Sequence, residues 1–463
     1  MKRMAVALIV LMGWLAAPAE AGQSQPQQGA VVDQALQLTQ LTQVPPPTQP
    51  TQPAQPTEPV QPPRPYRGLF EAGSPARPGG HVLDFTASVY EEYGNTQDQG
   101  TQLGPLVLDT GWFLGVQGGL SYRKAGQWTQ LGLRTDGSFR YYRDSRQSTL
   151  PRYSVQAGVD RRTGGERQSA VHFGGSVNYE PYYMLSLLET PVSVVEGAAI
   201  VPTNRDDLLY RQARYIFGQS FGFDLPLSAR SFFTLTEDAR ATKADIPGLD
   251  VRTMHVAAAF GYRFSRYVAL RLGYGTRFGS YGAQAQQRLQ THDIDISLDY
   301  RRLFAPSRRT TFGFETGSQL VTAESRRQWR VIGAVNVRHQ FDAGWFIQGD
   351  LARTTQLVEG FSNPLFVNTA TGSLGGFLGR RVELLTSGAY SRGVVGFTRD
   401  PYWAVQGSAR MRLAVARFVA IDVEGLMARH SFDSRIVLPA GLPSQLNRWS
   451  VRFNVALWLP LFR

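Results

Sequence analysis

The side chains that could do chemistry are few in kind. With no cysteine in the chain, disulfides, thiol nucleophiles and thiolate metal sites are excluded. The six histidines, His81, His172, His255, His292, His339 and His430, stand singly, without the short spacings that hold a metal ion. Any of them could stand beside a serine in a hydrolase triad, which is defined by geometry, but no spacing selects one. A phosphate-binding loop is absent, and glycine runs such as "LGYG" fall inside alternating segments. Neither an enzyme nor a cofactor is expected. The group that recurs is arginine: of 48 basic residues only Lys2, Lys124 and Lys243 are lysines, against 36 acidic residues, for a net charge of +12. Its planar fork suits carboxylates and phosphates better than an ammonium does. A pI near 10.0 raises nucleic-acid binding, but arginines that alternate along apolar segments of an exported chain make no nucleic-acid partner expected.

The elements that carry these arginines are legible in residues 266–279, "RYVALRLGYGTRFG". Val268, Leu270, Leu272 and Tyr274 occupy every second position, with Arg271, Gly273 and Gly275 between them. A period of two is that of a β-strand. The pattern recurs from His81 onward in about eighteen segments, each long enough to cross a bilayer as a tilted strand. Gaps alternate between short ones (124–127, 163–166, 226–230, 265–266, 342–344, 379–381) and longer ones (94–110, 184–210, 243–250, 357–365, 432–447). Phe264, Tyr267, Phe341 and Trp345 flank short turns, while Phe139, Tyr141, Tyr179 and Tyr183 lie toward the longer loops, an aromatic girdle at each rim. No later apolar run is long enough for a spanning helix. The expected fold is all-β: a transmembrane antiparallel up-and-down β-barrel of about 18 strands.

In that frame Val268, Leu270, Leu272 and Tyr274 meet lipid, and the charged alternates line the lumen. These are Gln130, Arg134, Asp136 and Arg140; Arg263, Arg271 and Arg277; Asp293, Asp295 and Asp299; Glu315; Arg330 and Arg338; Arg410 and Arg412; Asp422 and Glu424. Two uses are open to them: an electropositive lumen that concentrates anions, or cross-strand pairs that stiffen the wall, Arg271 with Asp295 for example. A barrel of this size encloses a water-filled channel, and the small residues Gly132, Ala257, Ala259, Gly273, Gly275, Gly317 and Ser408 leave it unfilled. Loops, chiefly 184–210, are expected to occlude it.

Residues 1–21 read as a signal peptide: Lys2 and Arg3, an apolar run, then Ala19-Glu20-Ala21. Residues 22–66, with "QVPPPTQPTQPAQPTEPVQPPRP", cannot bury a core and form a disordered periplasmic linker, spanning on the order of 130 Å as polyproline II. The barrel occupies 67–463. An even strand number returns the C-terminus to the periplasm. The expected partners are outer-membrane lipid and lipopolysaccharide, the outer-membrane assembly machinery, and, through the linker, periplasmic polysaccharide-export components.

Residues 360–393, "GFSNPLFVNTATGSLGGFLGRRVELLTSGAYSRG", and 402–432, "YWAVQGSARMRLAVARFVAIDVEGLMARHSF", resemble the outer-membrane β-barrel porins often encoded with exopolysaccharide export machinery. The resemblance lies in strand and turn patterns and brings no catalytic residue. It implies passage of a polysaccharide across the outer membrane. The end departs from that pattern, since assembly signals of such barrels finish on an aromatic, whereas here Arg463 follows Phe462, with Pro460 close before it. A general diffusion porin and a structural or adhesive barrel acting through its loops are the alternatives.

Overall fold

The computed structural model describes residues 80–99, 111–142, 149–163, 169–181, 183–184, 208–210, 213–244, 250–265, 268–281, 287–300, 310–323, 326–341, 345–356, 358, 361, 363–379, 381–397, 400–436, 438 and 443–462. The signal peptide and the linker lie outside this set.

The strands are β1 (His81–Gln99), β2 (Gly111–Ala125), β3 (Thr129–Tyr142), β4 (Thr149–Arg162), β5 (Ala170–Glu180), β6 (Tyr183–Met184), β7 (Leu208–Tyr210), β8 (Arg214–Pro226), β9 (Ser231–Ala244), β10 (Val251–Arg263), β11 (Val268–Tyr281), β12 (Gln287–Tyr300), β13 (Thr310–Ala323), β14 (Arg326–Gln340), β15 (Phe346–Gln356), β16 (Leu365–Leu378), β17 (Val382–Val395), β18 (Pro401–Ala416), β19 (Val419–Phe432) and β20 (Gln445–Phe462). Apart from the short β6–β7 ribbon they form one 18-stranded sheet. Neighbours in sequence pair antiparallel, and β1 pairs with β20 from Leu83–Phe462 to Gln99–Gln445, closing the sheet into a barrel. Closure gives every wall strand a partner on both sides, the condition for burying backbone away from water.

Both ends of the described chain, His81 and Phe462, lie at the rim that carries the short turns. Two connections depart from the alternation of gaps: 301–309 falls at the short-turn rim and 324–325 at the opposite rim, both outside the described residues.

Period-two alternation places apolar side chains on the outer face and polar ones inside. Leu272, Ile294 and Phe173 are 55%, 51% and 50% exposed, whereas Arg412 and Glu383, on the inner face, are 0% and 1% exposed as side chains. A protein dissolved in water has the opposite distribution. Aromatics gather on the outer face near the long-loop rim, where Tyr153 stacks on Tyr179 at 4.7 Å and Tyr179 meets Tyr215 at 5.1 Å, and where Tyr93 lies between Trp112 and Trp449.

Among the described residues the wall is interrupted between β14 and β15. β14 pairs with β15 only from Gly333–Arg353 to Gln340–Phe346, leaving the long-loop end of β14 without that neighbour. Beyond Arg353, the ends of β15, β16 and β17 turn into the barrel mouth as a tongue. Leu365, Phe366 and Val367 are consecutive and all buried, which a strand with one face to the outside cannot achieve. Phe366 packs with Val251, Leu289, Val321 and Ala323 of β10, β12 and β13, while Leu365 and Val367 pack with Tyr402, Ala404, Phe432 and Leu446 of β18, β19 and β20. The Thr355 hydroxyl donates to Gln319 Oε1 of β13 at 2.7 Å. After β17 the chain reverses at Gly396, whose φ of +68° favours glycine. The described occlusion of the mouth therefore comes from strand ends. Of the loop expected to do this, 184–210, only the β6–β7 ribbon belongs to the described residues.

Candidate functional site

The candidate site is the inner face, and its charges are arranged in cross-strand groups. Arg134 Nε donates to Asp136 Oδ2 at 2.8 Å along β3. Arg140, further along β3, is 1% exposed; its Nε donates to the Tyr90 hydroxyl at 3.2 Å and its guanidinium lies 5.0 Å from the Phe113 ring centre. Arg271 and Arg277 point inward from β11, with Arg277 between His255 and Thr291 in register and Arg271 beside Ser297. Asp293 and Asp295 on β12 stand opposite Gly275 and Gly273. A Cβ on Gly273 would collide with the Asp295 carboxylate, so this glycine makes room for the acid. Asp293 accepts from Gln319 Nε2 at 2.6 Å, with His255 Nε2 at 3.9 Å. The Asp299 backbone pairs with Ala269, and its side chain lies outside the described residues.

Arg410 and Arg412 converge on Glu383, at 3.7 and 3.5 Å. Arg412 also donates to Asp422 at 2.6 Å, and Asn454 donates to the other oxygen of that carboxylate at 2.8 Å. Glu424 stands between Arg410 and Arg452 in register.

Sequence reasoning missed comparable groups. Glu92 accepts from Arg452 Nε at 2.8 Å and has Arg448 at 3.8 Å; Glu180 holds both Arg152 and Arg214; Asp84 pairs with Arg123 at 3.1 Å; His172 pairs with Asp160. In "HVLDFTASVYEEY" the period sends Glu92 to the same face as Asp84 and Ser88, but its partner Arg452 is given only by the register with β20.

The interior is thus not uniformly positive, because carboxylates follow arginines around the wall. The exceptions are specific. Arg263 lies at the short-turn rim, 5.2 Å over the Phe232 ring. Arg330 and Arg338 lie on the inner face of β14. Arg330 donates to Gln328 and packs on Phe366 of the tongue, and Arg338 lies 4.9 Å over Phe346. None of the three has a carboxylate within ion-pair distance among the described residues. No group of three or more histidine or acidic side chains that could hold a metal occurs among the described residues.

No family model matches the chain, and none of the curated proteins does. Solved structures do. OccK2 (OpdF) of Pseudomonas aeruginosa is 12% identical, with 84% of this chain and 100% of that chain covered at a TM-score of 0.43. OpdQ of the same organism is 8% identical over 82% and 98%, at 0.42. The outer membrane protein opdK of Pseudomonas aeruginosa is 13% identical over 83% and 100%, at 0.40. At such identities neither solute nor partner passes from those proteins to this one.

Proposed function

We propose that the chain is an outer-membrane pore for small anionic solutes, not an enzyme, with its linker and C-terminus in the periplasm. The observation that carries the reading is the inverted surface: a closed barrel with exposed Leu272, Ile294 and Phe173 outside and charged pairs inside. Such a wall matches hydrocarbon on one side and water on the other. Selectivity for anions is assigned to Arg330 and Arg338. Arg271 and Arg277, by contrast, stand diagonal to Asp295 and Asp293 on β12 and serve the wall. A cation lacking a local counter-charge keeps its field for a passing anion.

Export of a polysaccharide remains the second reading, favoured by the resemblance of residues 360–393 and 402–432. The β16 strand of the tongue lies within the first of these stretches, and a polymer would have to displace the tongue. Reversal potentials across a salt gradient in planar bilayers test the main reading. The native protein should prefer anions, most visibly at low salt, where screening is weakest. Arg330→Ser with Arg338→Ser should remove most of that preference, and Arg271→Ser should not. A pore whose reversal potential is unmoved by the Arg330 and Arg338 changes would refute the assignment.

A further inference from the structure

We propose that a row of outward-pointing cations at the long-loop rim, Lys243, Arg252, Arg288 and Arg327, binds the phosphates of a bisphosphorylated glycolipid in the facing leaflet. This rests on the membrane reading above. Arg252 pairs in register with Ser280, and Ser280 with Arg288, so the three stand side by side on β10, β11 and β12. Gln290, Thr322 and Arg327 form the next rung across β12, β13 and β14. Lys243 joins from β9, opposite the outward Tyr215. All four cations are exposed, and none is in an ion pair among the described residues. Asp250 at the same rim uses its carboxylate to accept the Ala244 backbone N–H at 2.9 Å.

The height of the row is set by what lies below it. Two residues toward the middle of the wall from Arg252, Ser280 and Arg327 come Met254, Phe278 and Trp329, which are 44%, 47% and 55% exposed. The wall changes there from apolar to basic within one outward position, where hydrocarbon gives way to headgroups. With strands 4.7–4.9 Å apart, Arg252 and Arg288 are about 10 Å from each other. A headgroup bearing two phosphates can give each of these cations its own phosphate, whereas a lipid with a single phosphate leaves them to share one. Guanidinium forks bind phosphate bidentately, and Ser280, Gln290 and Thr322 supply further donors between them.

The test uses the full-length protein in detergent, titrated with lipid A, with dephosphorylated lipid A and with phosphatidylglycerol, and reads retained lipid by native mass spectrometry. Lipid A should be retained at least tenfold better than either of the others. The triple variant Arg252→Gln, Arg288→Gln, Arg327→Gln should lose that margin, while Lys124→Gln with Arg161→Gln, exposed at the opposite rim, should keep it. Equal retention of lipid A and phosphatidylglycerol by the native protein, or an undiminished margin in the triple variant, overturns the proposal. If the triple variant does not fold, as judged by heat-modifiable electrophoresis, the native protein's margin for lipid A over its dephosphorylated form decides. A native chain that does not enter detergent or bilayer at all fails the membrane reading itself, a separate result.

Discussion

Arg412 shows how a charge is kept inside this barrel. Its side chain is 0% exposed and lies between Glu383 and Asp422, with Asn454 completing the second carboxylate. Removing one member of such a buried group leaves its partners charged and uncompensated, which costs about 3–5 kcal/mol. Arg412→Met should therefore lower resistance to urea by that amount, and adding Asp422→Asn should recover part of it. Intrinsic fluorescence during unfolding measures both. An Arg412→Met protein as stable as the native one would show that water reaches these carboxylates.

The element with the most to decide is the tongue. Its hold on the wall is apolar on both sides, with Phe366 against β10, β12 and β13 and Leu365 against β18 to β20. Phe366→Ala should remove about 3 kcal/mol of packing, enough to shift a two-state equilibrium on the order of a hundredfold toward a displaced tongue. Single-channel recordings should then show a larger or longer-lived open state while the heat-modifiable band persists, because no wall hydrogen bond depends on that ring. Conductance identical to the native protein would mean that solute passes elsewhere.

For the whole molecule, the paired ends at one rim give a topology that can be tested in cells. With β1 entering and β20 leaving at the short-turn rim, an epitope inserted within 184–210 should be stained on intact cells, and one appended after Arg463 should be stained only after permeabilisation. Staining of the C-terminal epitope on intact cells would invert the proposed orientation.

The alternation in "RYVALRLGYGTRFG" already determined the strand and which residues share a face. A two-residue period with arginine on one side and leucine on the other also suits a sandwich in water; the length of the segments, their recurrence about eighteen times and the short and long gaps pointed to an up-and-down barrel. Arg271, Arg277, Asp293 and Asp295 were likewise legible as inward residues from period alone. What period cannot carry is register, and register decides which charges meet: Glu92 with Arg452 lie at opposite ends of the chain and come together only when β1 closes on β20. Nor could "NPLFV" announce the tongue, since an apolar run reads the same whether buried in a wall or folded inside it. Its burial depends on β14 releasing β15 beyond Gly333 and on apolar faces waiting across the lumen, and those are set by residues far from it in sequence.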